Sequence, residues 1–397
     1  MFVGESLRNI RVMHGYSRKH LSEKIGVTEQ AIWQFENGFS SPKLETLNEL
    51  KKVFHVKNKY FFHEDFLKKQ RMRLVEPQAI AYRSEEINSV SKTQSESVHS
   101  EFLNNFLEDI ISLVTLPKGD IEKIRDYAIR NLNSKEIGKR EKIIDEIATF
   151  ARKTIGVPKD SNDNLLYLIE KSGVFVFEKS IGEKIDAYSF WTLNNIPYIV
   201  LGNLKKSAAR RNFDIAHELG HLILHYKMGF TELDSKTYKE IEKEADLFAG
   251  CFLLPSEEFR KDFGDLVRVS NPDSYIFLKE KWRVSIQAMA IRAKRLNLLS
   301  QEQYSYFWRS ITRKGYKKIE PLDEKLTIVR PSKVKSILKL LFENSIIDFE
   351  YLTDKKFFAE PEYFYNLTGI STDFFETYKK NKDIDFESNN LVKLKSR

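Results

Sequence analysis

Residues 5–62 alternate short apolar-periodic runs with turn signals, a pattern that predicts a set of short helices. Ser17 stands where an N-cap would open SRKHLSEKIG, and Gly26 where a left-handed C-cap would close it. Thr28 can cap a second run, TEQAIWQFEN, which ends at Gly38. Ser41-Pro42 opens a third, with proline at the first helical position. Leu21, Ile25, Val27, Ile32 and Phe35 fall where two helices crossing at a tight turn would share a core, which is helix-turn-helix spacing. Residues 85–100 are polar and serine-rich with little helical period, and read as a linker or mobile loop. Helical periodicity returns over 101–156: Phe106, Ile110, Ile111 and Val114 space as one buried face, Ile144, Ile147, Phe150 and Ala151 as another. Between 163 and 205 a short helix, NLLYLIEKSG, precedes three strand candidates, VFVFEK, IDAYSFW and IPYIVL, with Asn194-Asn195 as a turn. The stretch 208–226 is helical again, with Ile215, Leu219, Leu222 and Tyr226 as its buried stripe. So is EIEKEADLFAGCFLLP, where Ile241, Ala245, Phe248 and Phe252 share a face. Near the end, Phe349, Tyr351, Phe357, Phe358, Tyr363, Phe364 and Tyr365 crowd together, predicting a small helical domain with these rings as its core.

A length of 397 residues exceeds one ordinary core and predicts two to four domains. The single cysteine, Cys251, excludes an intrachain disulfide and fits a reducing cytosol. The opening residues lack the apolar run of a signal peptide, and no stretch nears the roughly 20 apolar residues that span a bilayer. The expectation is a soluble, cytoplasmic protein with no membrane partner. The net charge of +8 permits nucleic-acid binding. Residues 1–60 lean the same way, with ten Lys and Arg against six Asp and Glu. The basic run 68–73 and the final KLKSR read as a solvated face and a frayed terminus.

The chemistry concentrates at His217-Glu218-Leu219-Gly220-His221. On a helix, positions i and i+4 lie on one face, about 5–6 Å apart. Two imidazoles so placed can both reach one Zn²⁺, and the glutamate between them can take a proton from water at the metal's open side. The third ligand should come from another helix. Glu242 and Asp246 share a face at i and i+4, so Glu242 would complete a His₂Glu site and Asp246 would orient a ligating imidazole through its second nitrogen. Glu244 is the rival ligand, about 200° around from Glu242. Glu240 reads as solvated charge. His225 extends the histidine column by one turn, but the column drifts by about 40° per step, which suits a supporting contact. Asp186 and Tyr188 could line the cleft, Tyr188 facing the oxyanion, and IPYIVL could pair with an extended substrate.

Two resemblances add to this reading. LRNIRVMHGYSRKHLSEKIGVTEQAIWQFENGFSSPKLETLNELKKVF resembles the Xre type of DNA-binding domain found in phage repressors and Cro. That likeness implies that Thr28 to Phe35 form the recognition helix. Thr28, Glu29, Gln30, Trp33 and Gln34 would then address the major groove of an operator, while Arg18, Asn37 and Lys43 meet phosphates. It also implies a homodimer on double-stranded DNA. RRNFDIAHELGHLILH and IEKEADLFAGCFLLP resemble the ImmA/IrrE family of zinc metallopeptidases, with the motif intact at His217, Glu218, His221 and Glu242. Tyr82-Arg83-Ser84, Leu116-Pro117, IDAYSFW and WRSITRKGYKKIEP also fit longer proteins that fuse the two modules.

The expected fold is multidomain and mainly α. An N-terminal all-α helix-turn-helix domain (1–70) and a linker (71–100) precede a helical segment with a small α+β zincin-like metallopeptidase core (101–300) and a C-terminal helical domain (301–397). The second resemblance implies a protein substrate: members of that family cut helix-turn-helix repressors in response to stress or mobile-element signals. The chain would cut such a repressor, or itself between modules. The alternative is a non-cleaving transcription factor whose metal-binding half senses a partner or ligand.

Overall fold

A computed structural model of the chain describes residues 1–63, 74–82, 90–133, 140–179, 187–202, 207–230 and 233–379. The helices are α1 (Gly4–Met13), α2 (Arg18–Ile25), α3 (Glu29–Glu36), α4 (Leu44–Phe54), α5 (Val90–Ile111), α6 (Ile121–Leu132), α7 (Arg140–Ile155), α8 (Leu165–Lys171), α9 (Ala208–Leu224), α10 (Ser235–Leu253), α11 (Ser256–Gly264), α12 (Ile276–Trp282), α13 (Ile286–Arg295), α14 (Gln301–Arg313), α15 (Lys333–Glu343) and α16 (Pro361–Thr368). The strands are β1 (Ala81–Tyr82), β2 (Phe175–Lys179), β3 (Ala187–Trp191) and β4 (Pro197–Gly202). Among the described residues no helix is long and apolar enough to cross a membrane.

The capping residues act as expected in α2 and α3. Ser17 Oγ accepts from His20 N at 3.0 Å, Gly26 takes φ 69°, and Thr28 Oγ1 accepts from Ala31 N at 3.1 Å. The third run begins later than the proline suggests: α4 starts at Leu44, and Lys43 is its N-cap, without a side-chain cap.

The sheet runs β1-β3-β4-β2. β1 and β4 pair antiparallel with β3, and β2 pairs parallel with β4. Every residue of β2 and β3 is buried, because the sheet is a wall between two cores. Phe175, Phe177, Tyr188, Phe190, Tyr198 and Val200 face one core. Val176, Ala187, Trp191, Ile199 and Leu201 face the other, with α6–α9 and the later helices through α14. β4 lies between two strands, so IPYIVL has no edge free for a substrate, contrary to expectation.

The first core also contains the helix-turn-helix residues and the C-terminal rings. Phe349, Phe357, Phe358, Tyr363 and Phe364 pack with Phe54, Tyr60 and Phe61 instead of forming a core of their own. Backbone bonds fix that join: Lys57 N donates to Phe358 O at 2.7 Å and Glu360 N to His55 O at 2.9 Å. Phe307 and Ile311 of α14 belong to the second core.

Residues 90–100, expected to be linker, are the first half of α5. From Ser95 onwards their polar side chains are buried against other elements. Ser95 Oγ donates to Val12 O at 2.8 Å, Glu96 pairs with Lys179 at 2.6 Å, and His99 and Ser100 meet the Tyr188 hydroxyl at 3.2 and 3.4 Å. Periodicity reads polar as exposed, and here the buried face is polar. The rest of the expected linker that falls at 71–73 and 83–89, with the basic run 68–73, Arg83, Ser84, Asp186 and the terminal KLKSR, lies outside the described residues.

Candidate metal centre

Ser207 caps α9, its Oγ accepting from Arg210 N, and almost the whole helix is buried. Ile215, Leu219 and Leu222 join the second core. Gly220 lets α10 cross closely. A Cβ there would lie 3.1 and 3.3 Å from Phe248 side-chain atoms and 3.4 Å from the Ala245 Cα. That crossing brings Glu242 to the histidines.

His217, His221 and Glu242 each offer a ligand atom, and these atoms lie within 4.8 Å of one another. The two Nε2 atoms are 3.0 Å apart. Glu242 Oε2 is 3.4 Å from His217 Nε2, and Oε1 is 3.2 Å from His221 Nε2. Two nitrogens bound tetrahedrally to one zinc at 2.0–2.1 Å stand about 3.3 Å apart.

The outer hydrogen bonds make the outer nitrogens of the two rings donors. His217 Nδ1 lies 2.9 Å from Asp246 Oδ1, which only accepts, so Nδ1 carries the proton. Arg140 grips Glu244 at 2.7 and 2.9 Å, and Glu244 Oε2 lies 3.2 Å from His225 Nε2. His225 therefore donates from Nε2. Burial lowers its pKa to about 4, against the pull of Glu244, so the ring is neutral and its Nδ1 accepts. His221 Nδ1, 3.1 Å away, must donate to it. Both Nε2 atoms thus face each other beside a carboxylate. A divalent cation resolves that crowding, so the residues fit zinc.

Burial opposes ionisation of Glu242, but His217 and His221 outweigh it and hold the carboxyl well below the usual range. Burial likewise opposes Glu244, yet His225 and Arg140 bring it to about 2. Glu218 shifts the other way: complete burial raises it, offset in part by His221, His217 and Ser189. Ser189 Oγ donates to Glu218 Oε2 at 2.7 Å, and Oε1 has no hydrogen-bond partner among the described residues.

The structure thus brings together His217, Glu218, His221 and Glu242, with Asp246 and His225 on the outer nitrogens. Glu244 is part of the His225 relay and not of the ligand cluster. Glu240 is exposed. Tyr188 is not in the site. Adjacent strand residues face opposite ways, so its ring lies on the first core and its hydroxyl on α5. Ser189 and Arg140 were missed. For Ser189 a signal existed, a lone small polar residue between aromatics in a strand. For Arg140, 104 positions from Glu244, there was none.

Residues 169–294 match the family profile of the IrrE N-terminal-like domain, a peptidase family, and residues 7–57 match that of the Helix-turn-helix domain. The chain joins an Xre-like helix-turn-helix domain to an ImmA/IrrE-type domain. A curated relative, the SPbeta prophage-derived uncharacterized HTH-type transcriptional regulator YonR of Bacillus subtilis (strain 168), is 34% identical over 53 residues, 13% of this chain and 49% of that protein. A solved Mycobacterium tuberculosis transcriptional regulator is 18% identical with a TM-score of 0.28, over 46% of this chain and 54% of the other. The chain thus spans about half the length of each.

In the helix-turn-helix domain, Glu29, Gln30 and Trp33 are exposed on α3, and Gln34 is half-buried. Trp33 stacks on Phe39 at 5.1 Å, leaving the rings 38% and 70% exposed. Asn37 Nδ2 donates to Trp33 O at 2.8 Å, closing α3. Arg18 binds Glu36 at 2.7 Å, beside the buried Arg11–Glu36 pair, and Lys43 is exposed.

Proposed function

We propose that this protein is a DNA-binding regulator whose ImmA/IrrE-type domain is a zinc-dependent endopeptidase. The observation that carries the reading is the convergence of His217, His221 and Glu242, whose ligand atoms lie within 4.8 Å of one another. His217, His221 and Glu242 hold the ion, with Asp246 and His225 fixing the two rings. Zinc, when bound, supplies Lewis acidity that acidifies water and polarises a carbonyl. Glu218 is the proton carrier. Ser189 occupies its Oε2, so its free Oε1 accepts the proton of the attacking water and returns it to the leaving amine. The raised affinity of Glu218 for a proton suits that task.

Glu29, Gln30, Trp33 and Gln34 read the operator's major groove, with Arg18, Asn37 and Lys43 near phosphates and Thr28 capping the helix. The chain binds as a homodimer in the cytoplasm. The substrate is a helix-turn-helix repressor or the chain itself. The test compares zinc-loaded wild type with Glu218→Gln by mass spectrometry of the chain and of co-encoded repressors. Fragments from wild type alone support the peptidase. If both proteins hold zinc and neither cuts, the non-cleaving regulator takes its place.

A further inference from the structure

The outer edge of β3 runs beside the metal centre, since Ser189 near its middle reaches Glu218. Such an edge offers alternating N–H and C=O groups to an extended chain. Here the chain itself fills the place. Ala81 lies opposite Ser189 and Tyr82 opposite Tyr188, antiparallel, and Leu193 N donates to Leu74 O at 2.9 Å. The segment takes seven steps, Leu74 to Ala81, where β3 and its exit take four, Leu193 to Ser189. The excess leaves the ladder as a 3₁₀ turn at Pro77–Ala79. Glu76, just before that turn, lines a narrow cleft together with Ser189, His221 and His225. What holds the segment is mostly not β3. Glu101 of α5 accepts from Val75 N at 2.9 Å and Leu74 N at 3.4 Å, and Val75 and Ile80 are buried in the first core.

We infer that residues 74–82 hold the place of a substrate strand on β3, so that another extended polypeptide docks beside Glu218 only after this segment has left. That docking leads to cleavage rests on the peptidase reading, but the exchange of strands is testable without cleavage. Two variants loosen the segment independently: Glu101→Gln removes the charged acceptor, and Ala81→Pro removes a backbone N–H from the strand. Each is made in the full-length, zinc-loaded Glu218→Gln chain. The probe is a fluorescein-labelled peptide of residues 74–82, LVEPQAIAY, monitored by polarisation, with amide exchange read over 74–82 and 187–193. The expected result is faster exchange of 74–82 in both variants, peptide affinity at least tenfold above the parent, and renewed protection of 187–193 when peptide is added. Release of 74–82 without tighter peptide binding overturns the inference, as does failure of both variants to release it. With Glu218 restored, casein hydrolysis should rise in the loosened chains. Peptide exchange without any hydrolysis would count against the peptidase and leave the strand exchange standing.

Discussion

The ligand assignment has a thermal consequence that can be worked out in advance. A ligand that binds only the folded chain adds RT ln(1 + [L]/Kd), about 2.7 kcal/mol at a hundredfold excess over Kd. For a cooperative unit of 150–250 residues each kcal/mol moves Tm by about 2–4 °C. Zinc added to chelator-stripped protein should therefore raise Tm by about 5–11 °C. Glu242→Gln keeps the size of the side chain but removes the charge that faces both histidines at 3.4 and 3.2 Å. Changes one step further from a metal already weaken binding by about 10–100-fold. A hundredfold loss at the same zinc concentration cuts the stabilisation to about 0.4 kcal/mol, a shift of about 1 °C. Asp246→Asn, acting only through the His217 Nδ1–H, should fall between, near half the wild-type shift for a tenfold loss. Glu240→Gln alters an exposed residue of the same helix and should keep the full shift. Scanning calorimetry with tryptophan fluorescence follows the right half of the molecule, because Trp191 Nε1 donates to Leu222 O on α9. Equal shifts in Glu242→Gln and wild type would refute the ligand set. A loss in Glu240→Gln as large as in Glu242→Gln would show that bulk charge, not coordination, is being read.

Three further outcomes are expected. Ser189→Ala removes the hydroxyl from the buried Glu218 carboxylate, a bond to a charged group of about 1.5–3 kcal/mol. That corresponds to a kcat about 10–150-fold lower with KM little changed and Ser189→Thr restoring part of it, whereas an unchanged kcat would remove the positioning role. Lys279 is fully buried between Glu320 at 2.8 Å and Asp323 at 2.6 Å, so Lys279→Met should cost about 3–5 kcal/mol by stranding those acids, and a Tm drop below 2 °C would contradict it. Burial lowers His14 to about 4 while the unfolded ring titrates near 6.5, so the unfolded chain binds the extra proton between those values. The His14 share of the stability should be full above pH 6.5 and fall by up to about 3 kcal/mol as pH drops towards 4, with buried His99 and His225 adding losses of the same sign. His14→Asn, whose amide can keep the bond to Ile10 O, should flatten that dependence of the urea midpoint, and an unaltered slope would place the acid sensitivity elsewhere.

Local chemistry was legible where it acts over a few residues. Ser17, Gly26 and Thr28 mark helix ends through bonds spanning three or four positions, and the i, i+4 spacing of His217 and His221 needs only a helix. Glu242 was reachable because helical phase separates it from Glu244. What stayed hidden depends on distant partners. Ser95, Glu96 and Ser100 of α5 look like linker until Val12, Lys179 and Tyr188 are seen to take their polar groups. The C-terminal rings look self-sufficient until Tyr60 and Phe61 are placed among them. Tyr188 and Ser189 differ by one step of a strand whose two faces are both buried, so alternation gave no sign of which side faced His217, His221 and Glu242.

That single step also constrains the whole assembly. Val176, Ile199 and Ser189 lie in register across the sheet on the metal side, while Phe177, Val200 and Tyr188 lie in register on the other. Sliding β3 by one residue would turn the Tyr188 phenol and the Phe190 ring towards the Glu218 side and put Ser189 among Tyr198 and Phe177. Both cores therefore select the same register, and the selection is doubled by polar bonds: Ser189 to Glu218 on one face, Tyr188 to His99 and Ser100 on the other. The helix that receives Tyr188 is the one whose Ser95 bonds to Val12 of α1. Metal centre and helix-turn-helix are thus anchored to opposite faces of one strand, and neither anchor holds unless the other is in register.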